Sequence, residues 1–184
     1  MMENQKKTEE LIRQLLIDLG EDVEREGLRE TPKRYVKFLR EFLEVPEFQF
    51  TSFDAEGTDE MIVQSNIPFY SLCEHHMAPF FGVAAVAYIP DKKIVGLSKL
   101  ARCVDLYSHR FQNQERITTQ IAERIQMELQ PRGVAVMMKA QHLCMNMRGV
   151  KKHDTWTTTS KMLGLFQQQE TRNEFLEMIK HGER

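Results

Sequence analysis

Cys73-Glu74-His75-His76 and, far downstream, His142-Leu143-Cys144 gather two of the three cysteines and three of the six histidines into two short clusters. Thiolate sulfur and imidazole nitrogen are the donors that zinc favours. Three protein ligands leave a fourth tetrahedral position for water, the arrangement of a catalytic site. Cys73 and His76 are close enough in sequence for one turn to aim both at a single ion. Cys144 adds a remote ligand from the end of a later strand, as zinc sites commonly combine local and distant donors. His75 and His142 then remain beside the metal. Residues two apart on a strand share a face, so His142 and Cys144 are expected on one side of a sheet. Zinc lowers the pKa of a bound water to about 7. Histidine, with an ordinary pKa of ~6.5, gives and takes protons in that range. On residue types and spacing, the chain reads as a zinc hydrolase.

The remaining candidates carry less. A lone cysteine is more often a small buried hydrophobe than a ligand. Cys103 fits that description, on a helix beside Val104 with no histidine near it in sequence. His109, His153 and His181 stand apart from the clusters and read as surface or supporting groups.

Both clusters need elements to hold them. Leu11, Ile12, Leu15, Leu16 and Leu19 have the spacing of an amphipathic helix, and Gly20 can end it. Thr31-Pro32 has the form of an N-cap and first helical residue. The helix it opens carries Tyr35, Phe38, Leu39, Phe42 and Leu43 and stops at Pro46. Residues 1–50 therefore read as an N-terminal helical arm, and 51–184 as the domain that carries the chemistry. In that domain Met61–Ile67 and Phe80–Ile89 read as strands, with Ile94-Val95 as a short return strand. Ser98 is expected to cap a helix presenting Leu100, Val104 and Tyr107. Ile117, Ile121, Ile125 and Leu129 recur every four residues, one apolar stripe on a helix from about Asn113. Val134–Met145 and Thr155–Met162 read as further strands, and Asn173–Ile179 as a closing helix. The fold class is α+β with a largely antiparallel sheet.

Bulk properties exclude several classes. The chain has 184 residues, 41% hydrophobic and 28% charged, within the range of a soluble globular protein. No apolar run approaches the ~20 residues of a membrane span. The N-terminus has no apolar segment behind its charges, so no secretory signal is expected. A net charge of -2 argues against a nucleic-acid partner. An odd cysteine count argues against a disulfide framework. A reducing, cytoplasmic setting with free thiols is expected.

Four segments together resemble a known family. They are Cys73-Glu74-His75-His76, Gly96–Arg102 (Gly-Leu-Ser-Lys-Leu-Ala-Arg), Gln114–Thr118 (Gln-Glu-Arg-Ile-Thr) and His142–Gly149 (His-Leu-Cys-Met-Asn-Met-Arg-Gly). In order and spacing they resemble GTP cyclohydrolase I. The likeness runs from about Thr31 to Phe175 and includes Thr31-Pro32-Lys33-Arg34 and Thr157-Thr158-Thr159-Ser160. One segment departs from the family. At Arg110-Phe111-Gln112-Asn113 the family usually has a proline in the Phe111 position and an apolar residue at Asn113. The start of the Gln114 helix is therefore left open.

The resemblance implies the tunnelling fold, an antiparallel sheet with helices on one face, assembled into a barrel by oligomerisation. It implies a homodecamer with active sites shared between subunits, and one zinc per subunit held by Cys73, His76 and Cys144. It implies GTP as substrate, opened at C8 of its guanine ring by water activated at the metal. Formate is lost and 7,8-dihydroneopterin triphosphate is formed, without a redox cofactor. His75 would protonate or hydrogen-bond the ring nitrogen, and His142 would handle protons in ring opening and the ribose steps. Glu115 would grip guanine through N1–H and the 2-amino group, a pair adenine does not offer, with Gln114 assisting on the same edge. Lys99, Arg102 and Arg148 would bind triphosphate with Ser98 beside them, and Arg34 would add a contact. No feedback control is expected. Two other readings compete. One is a non-catalytic zinc- and purine-binding oligomer. The other is a related pterin or deazaguanine enzyme of the same fold, against which the two-thiol, one-imidazole set argues.

Overall fold

The computed structural model describes residues 2–182, and side chains within 5–180. These residues form two compact units, divided between Val45 and Pro46. The first holds two helices, α1 (Met2–Asp18) and α2 (Thr31–Leu43). Pro32 stands in the first turn of α2, where its missing N–H costs no helical bond. Arg40 on α2 donates to the Gln5 side chain on α1 at 2.9 Å. Leu11, Leu15 and Leu19 form an exposed row.

The second unit is built on a five-stranded sheet in the order β5-β2-β3-β6-β7. Its strands are β2 (Ile62–Cys73), β3 (Pro79–Ile89), β5 (Phe111–Gln112), β6 (Gly133–His142) and β7 (Thr157–Gly164). The pairs β2–β3, β3–β6 and β6–β7 are antiparallel, while β5 runs parallel to the end of β2. The architecture is α+β, as the residue pattern implies. β2 reaches beyond the expected Ile67 to Cys73, across a bulge between Gln64 and Ile67. A separate two-stranded sheet joins β1 (Ser52–Asp54) to β4 (Lys93–Val95). Ile94-Val95 therefore returns against β1, a strand the sequence pattern did not resolve.

Helices α3 (Ser98–Ser108) and α4 (Gln114–Leu129) cover one face of the main sheet. The stripe Ile117, Ile121, Ile125 of α4 is fully buried with Phe69, Phe80, Val86 and Met138. Each such side chain contributes about 1.5–3 kcal/mol on removal from water. Helix α6 (Gln169–Gly182) packs Phe175 and Ile179 against the opposite face, on Ala85, Ala87 and Ala135. Small residues on that face leave room for the helix. Gly82 on β3 has a related cause: a Cβ there would overlap the Lys139 carbonyl oxygen of β6.

Three expectations are corrected. The N-cap position of α2 falls on Glu30, with no side-chain capping bond, and Thr31 is already helical. β6 ends at His142, and Cys144 lies on the one-turn helix α5 (Leu143–Asn146). The alternation rule for strands therefore does not relate His142 to Cys144. Leu143-Cys144-Met145-Asn146 carries no β-branched residue, and Leu and Met lose little rotamer freedom in a helical turn. Ser98 does not cap α3: the N-cap position falls on Leu97, with no side-chain capping bond. Among the described residues, no helix is long and apolar enough to cross a membrane.

Candidate active site

The hairpin between β2 and β3 carries the first cluster. Cys73 closes β2, and its amide bonds the Ala78 carbonyl at 2.8 Å while its own carbonyl accepts from Met77 at 2.8 Å. Met77 takes a left-handed conformation at φ 55, which turns the chain back sharply. This tight loop points Cys73 and His76 to one place. Cys73 Sγ lies 3.7 Å from His76 Nδ1. A tetrahedral zinc, with bonds of about 2.3 Å to sulfur and 2.0 Å to nitrogen, sets these atoms roughly 3.5 Å apart. Cys144 on α5 completes the group, and all three donor atoms lie within 4.8 Å of one another. The donors present thus fit a metal ion.

His75 Nδ1 is also 3.7 Å from Cys73 Sγ, but His75 is not part of that three-donor group. It is left at the rim, with its side chain 68% exposed. Burial pushes the Cys144 thiol above its ordinary pKa, and adjacent Cys73 adds to the rise. A cation between the two sulfurs reverses that effect, since coordination deprotonates a thiol.

His142 stands at the end of β6, opposite Phe80 of β3 in the strand register. The two rings stack with centroids 4.6 Å apart and planes 5° from parallel. His142 Nε2 meets Gln114 Oε1 at 2.9 Å. The direction of this bond follows from the other end of the amide. Gln114 Nε2 faces the carbonyl oxygens of Met138 and Thr157, each at 3.0 Å, and Thr159 Oγ1 at 3.1 Å. Carbonyl oxygens only accept. The amide nitrogen must therefore point to them and its oxygen to His142, so His142 Nε2 carries a hydrogen. In the neutral ring the lone pair then belongs to Nδ1. Burial lowers the His142 pKa, with the Glu115 carboxylate pulling it back up.

Gln114 is itself 1% exposed. Its amide holds β6, β7 and His142 together. Glu115, one residue later, is exposed in the first turn of α4. That helix starts cleanly despite the unusual Phe111 and Asn113. Asn113 is its N-cap, and its side chain accepts from the Arg116 amide at 2.9 Å.

Ser98, Lys99 and Arg102 stand on the first turns of α3, and their side chains have no hydrogen-bond or ion-pair partner among the described residues. Arg148 is exposed just beyond α5, where its charge favours the ionised form of Cys144. Arg34 lies on α2 in the first unit and is exposed. Cys103 is fully buried, and burial pushes its thiol up to about 12. His153 is exposed, and the side chain of His181 falls outside the described residues.

Sequence reasoning gave no role to Glu74 or Arg116. Arg116 grips both carboxylate oxygens of Glu74, at 2.6 and 3.1 Å, and Asn113 Nδ2 donates to Glu74 at 2.9 Å. Arg116 first, then Asn113, hold the Glu74 pKa down to about 2. Glu74 was visible inside the first cluster, but its partners lie about forty residues away in sequence.

Comparison with known proteins agrees with this layout. The sequence profile of the family described as GTP cyclohydrolase I matches residues 8–180. A GTP cyclohydrolase 1 from a Sulfurihydrogenibium species is 54% identical over 181 residues, spanning 97% of both chains. One from Gloeobacter violaceus is 50% identical, covering 92% of this chain and 82% of the relative. One from Parabacteroides distasonis is 52% identical, covering 89% and 87%. Among solved structures, the archaeosine synthase QueF-Like in its apo form is 16% identical, with a TM-score of 0.48 over 56% of this chain and 93% of that one. A profile match over nearly the whole chain, relatives at 50–54% identity and a Cys-His-Cys group built from a β-hairpin turn and α5 agree, and the chain belongs to the GTP cyclohydrolase I family.

Proposed function

We propose that this chain opens the guanine imidazole ring of GTP at C8, releases formate and forms 7,8-dihydroneopterin triphosphate. The observation that carries the proposal is the three-donor group of Cys73, His76 and Cys144, with His75 at its rim and His142 held nearby in a defined orientation. Zinc is the proposed metal, one per subunit, because two thiolates and one imidazole suit it and leave one position open. Bound there, it supplies Lewis acidity and a water that is nucleophilic near neutral pH.

The chain's own residues do the rest. Glu115 accepts from N1–H and the 2-amino group of guanine and leaves adenine unmatched. His75 hydrogen-bonds or protonates the purine ring nitrogen. His142 moves protons in ring opening and the ribose rearrangement, and its Nδ1 is the atom free to do so. Gln114 acts through His142 by fixing that ring. Lys99, Arg102 and Arg148 neutralise the triphosphate, with Ser98 beside them and Arg34 adding a contact. The amides opening α3 also favour an anion.

The proposed assembly is a homodecamer of tunnelling-fold subunits in the cytoplasm, with active sites shared between subunits. β5 and β7 stand at the two edges of the main sheet, and sheet edges are where a neighbouring subunit can pair. The first 50 residues serve as an arm and the remainder as the catalytic domain.

The test is formate release from GTP by purified protein, measured with and without a chelator. Formate that appears and then stops on chelation is the expected result. Full zinc loading without formate rejects the reaction.

A further inference from the structure

Glu74 sits between two metal-ligand candidates and is absent from the roles above. Its amide donates to the Gln112 carbonyl at 3.0 Å. Its carboxylate takes both arms of the Arg116 guanidinium and the Asn113 amide. Arg116 also donates to Gln112 Oε1 at 3.1 Å, and Asn113 caps α4 by accepting from the Arg116 amide. Backbone and side chain of one residue are thus both fastened to residues 112–116. On one side of this knot lie Cys73 and His76. On the other lie Gln114, which holds His142, and Glu115.

From this arrangement we infer that Glu74 is a positioning residue, clamped by Arg116 so that the metal-ligand hairpin and the start of α4 keep a fixed separation. The inference rests on the proposed reading of the site. It concerns placement rather than overall stability. Exposed ion pairs contribute little to folding, and this one is 28% and 46% exposed at its two side chains. A forked guanidinium–carboxylate pair is nevertheless geometrically specific. Guanine held by Glu115 must present C8 to the metal group, and an error of about 1 Å in such a relation can cost on the order of 100-fold in rate.

The experiment compares Glu74→Gln, Arg116→Met, Arg116→Lys and the Glu74→Gln/Arg116→Met double variant with wild type. Each is loaded with zinc and checked for zinc content and thermal midpoint. The expected result is kcat lower by roughly 10–100-fold in Glu74→Gln and Arg116→Met. KM, zinc content and midpoint stay close to wild type. The double variant is no worse than either single one, because both break the same link. Arg116→Lys keeps the charge without the fork and falls between.

Hydrogen exchange supplies a readout independent of turnover. Amides of residues 74–77 and 114–117 exchange faster together in Glu74→Gln. Full kcat in both single variants, additive losses in the double variant, losses that track zinc content, or unchanged exchange at both segments would each overturn the clamp. If wild type releases no formate, the proposed reaction fails, and the exchange data still decide whether the clamp exists.

Discussion

His142 and Gln114 share a hydrogen bond of 2.9 Å whose direction is set entirely from the glutamine side. Two carbonyl oxygens and a threonine hydroxyl hold the amide nitrogen, so the amide oxygen has only the imidazole to face. A sheet on one side and a helix on the other thus decide which nitrogen of a histidine is available.

Replacing Gln114 with leucine breaks this arrangement at both ends. It leaves the Met138 and Thr157 carbonyls without their side-chain donor and frees the imidazole to turn. Loss of buried partners of this kind costs about 1–3 kcal/mol. Urea unfolding should show that loss, and formate release should fall while zinc remains bound. Unchanged turnover in a folded Gln114→Leu protein would mean that His142 does not depend on it.

Cys144→Ala removes one of two sulfurs from the three-donor group. Zinc content is expected to fall close to zero, with formate release at background, because two remaining donors do not complete a site. Elemental analysis of the purified variant checks this. Equal zinc in variant and wild type shows that the ligand set is wrong.

Glu115→Ala is expected to behave in the opposite way. Zinc stays, since Glu115 is not among the three donors. Discrimination between GTP and ATP, measured as the ratio of kcat/KM values, drops on the order of 100-fold or more, as when a site loses its matched polar partner. Preserved discrimination removes Glu115 from guanine recognition.

Cys103 gives a pH-linked prediction away from the metal group. Burial in the α3 core raises its thiol pKa from 9.0 to about 12. The folded protein therefore keeps this proton through a window in which the unfolded chain releases it. Stability from this group is present below pH 9 and declines as pH rises toward about 12. At mildly alkaline pH an alkylating reagent should leave Cys103 untouched in native protein and modify it in urea, as mass spectrometry of peptides can show. Native labelling of Cys103 contradicts the described burial.

The helix carrying Ile117, Ile121 and Ile125 was legible because its stripe records the face it buries. The ligand candidates were legible because cysteine and histidine are scarce enough to stand out at short spacing. The position of Cys144 was not. Strand and one-turn helix differ there by four residues, too few for either period to register. The role of Gln114 was hidden for another reason. A glutamine in a first helical turn reads as solvated, and nothing near it in sequence announces that two strands will enclose it. Glu74 shows the same limit, since its meaning depends on Arg116, 42 residues away. Patterns in sequence report periodic burial and local chemistry. They do not report which distant polar groups will meet.

The stacking of Phe80 on His142 has a thermodynamic consequence. A solvated imidazole samples several rotamers, and each encounter with a reactant must select one of them. Here the flat aromatic neighbour and the glutamine amide together restrict both side-chain torsions when the protein folds. The entropy of aligning this imidazole is lost during folding, and for the proton transfers proposed for His142 it is then not charged against the reaction barrier.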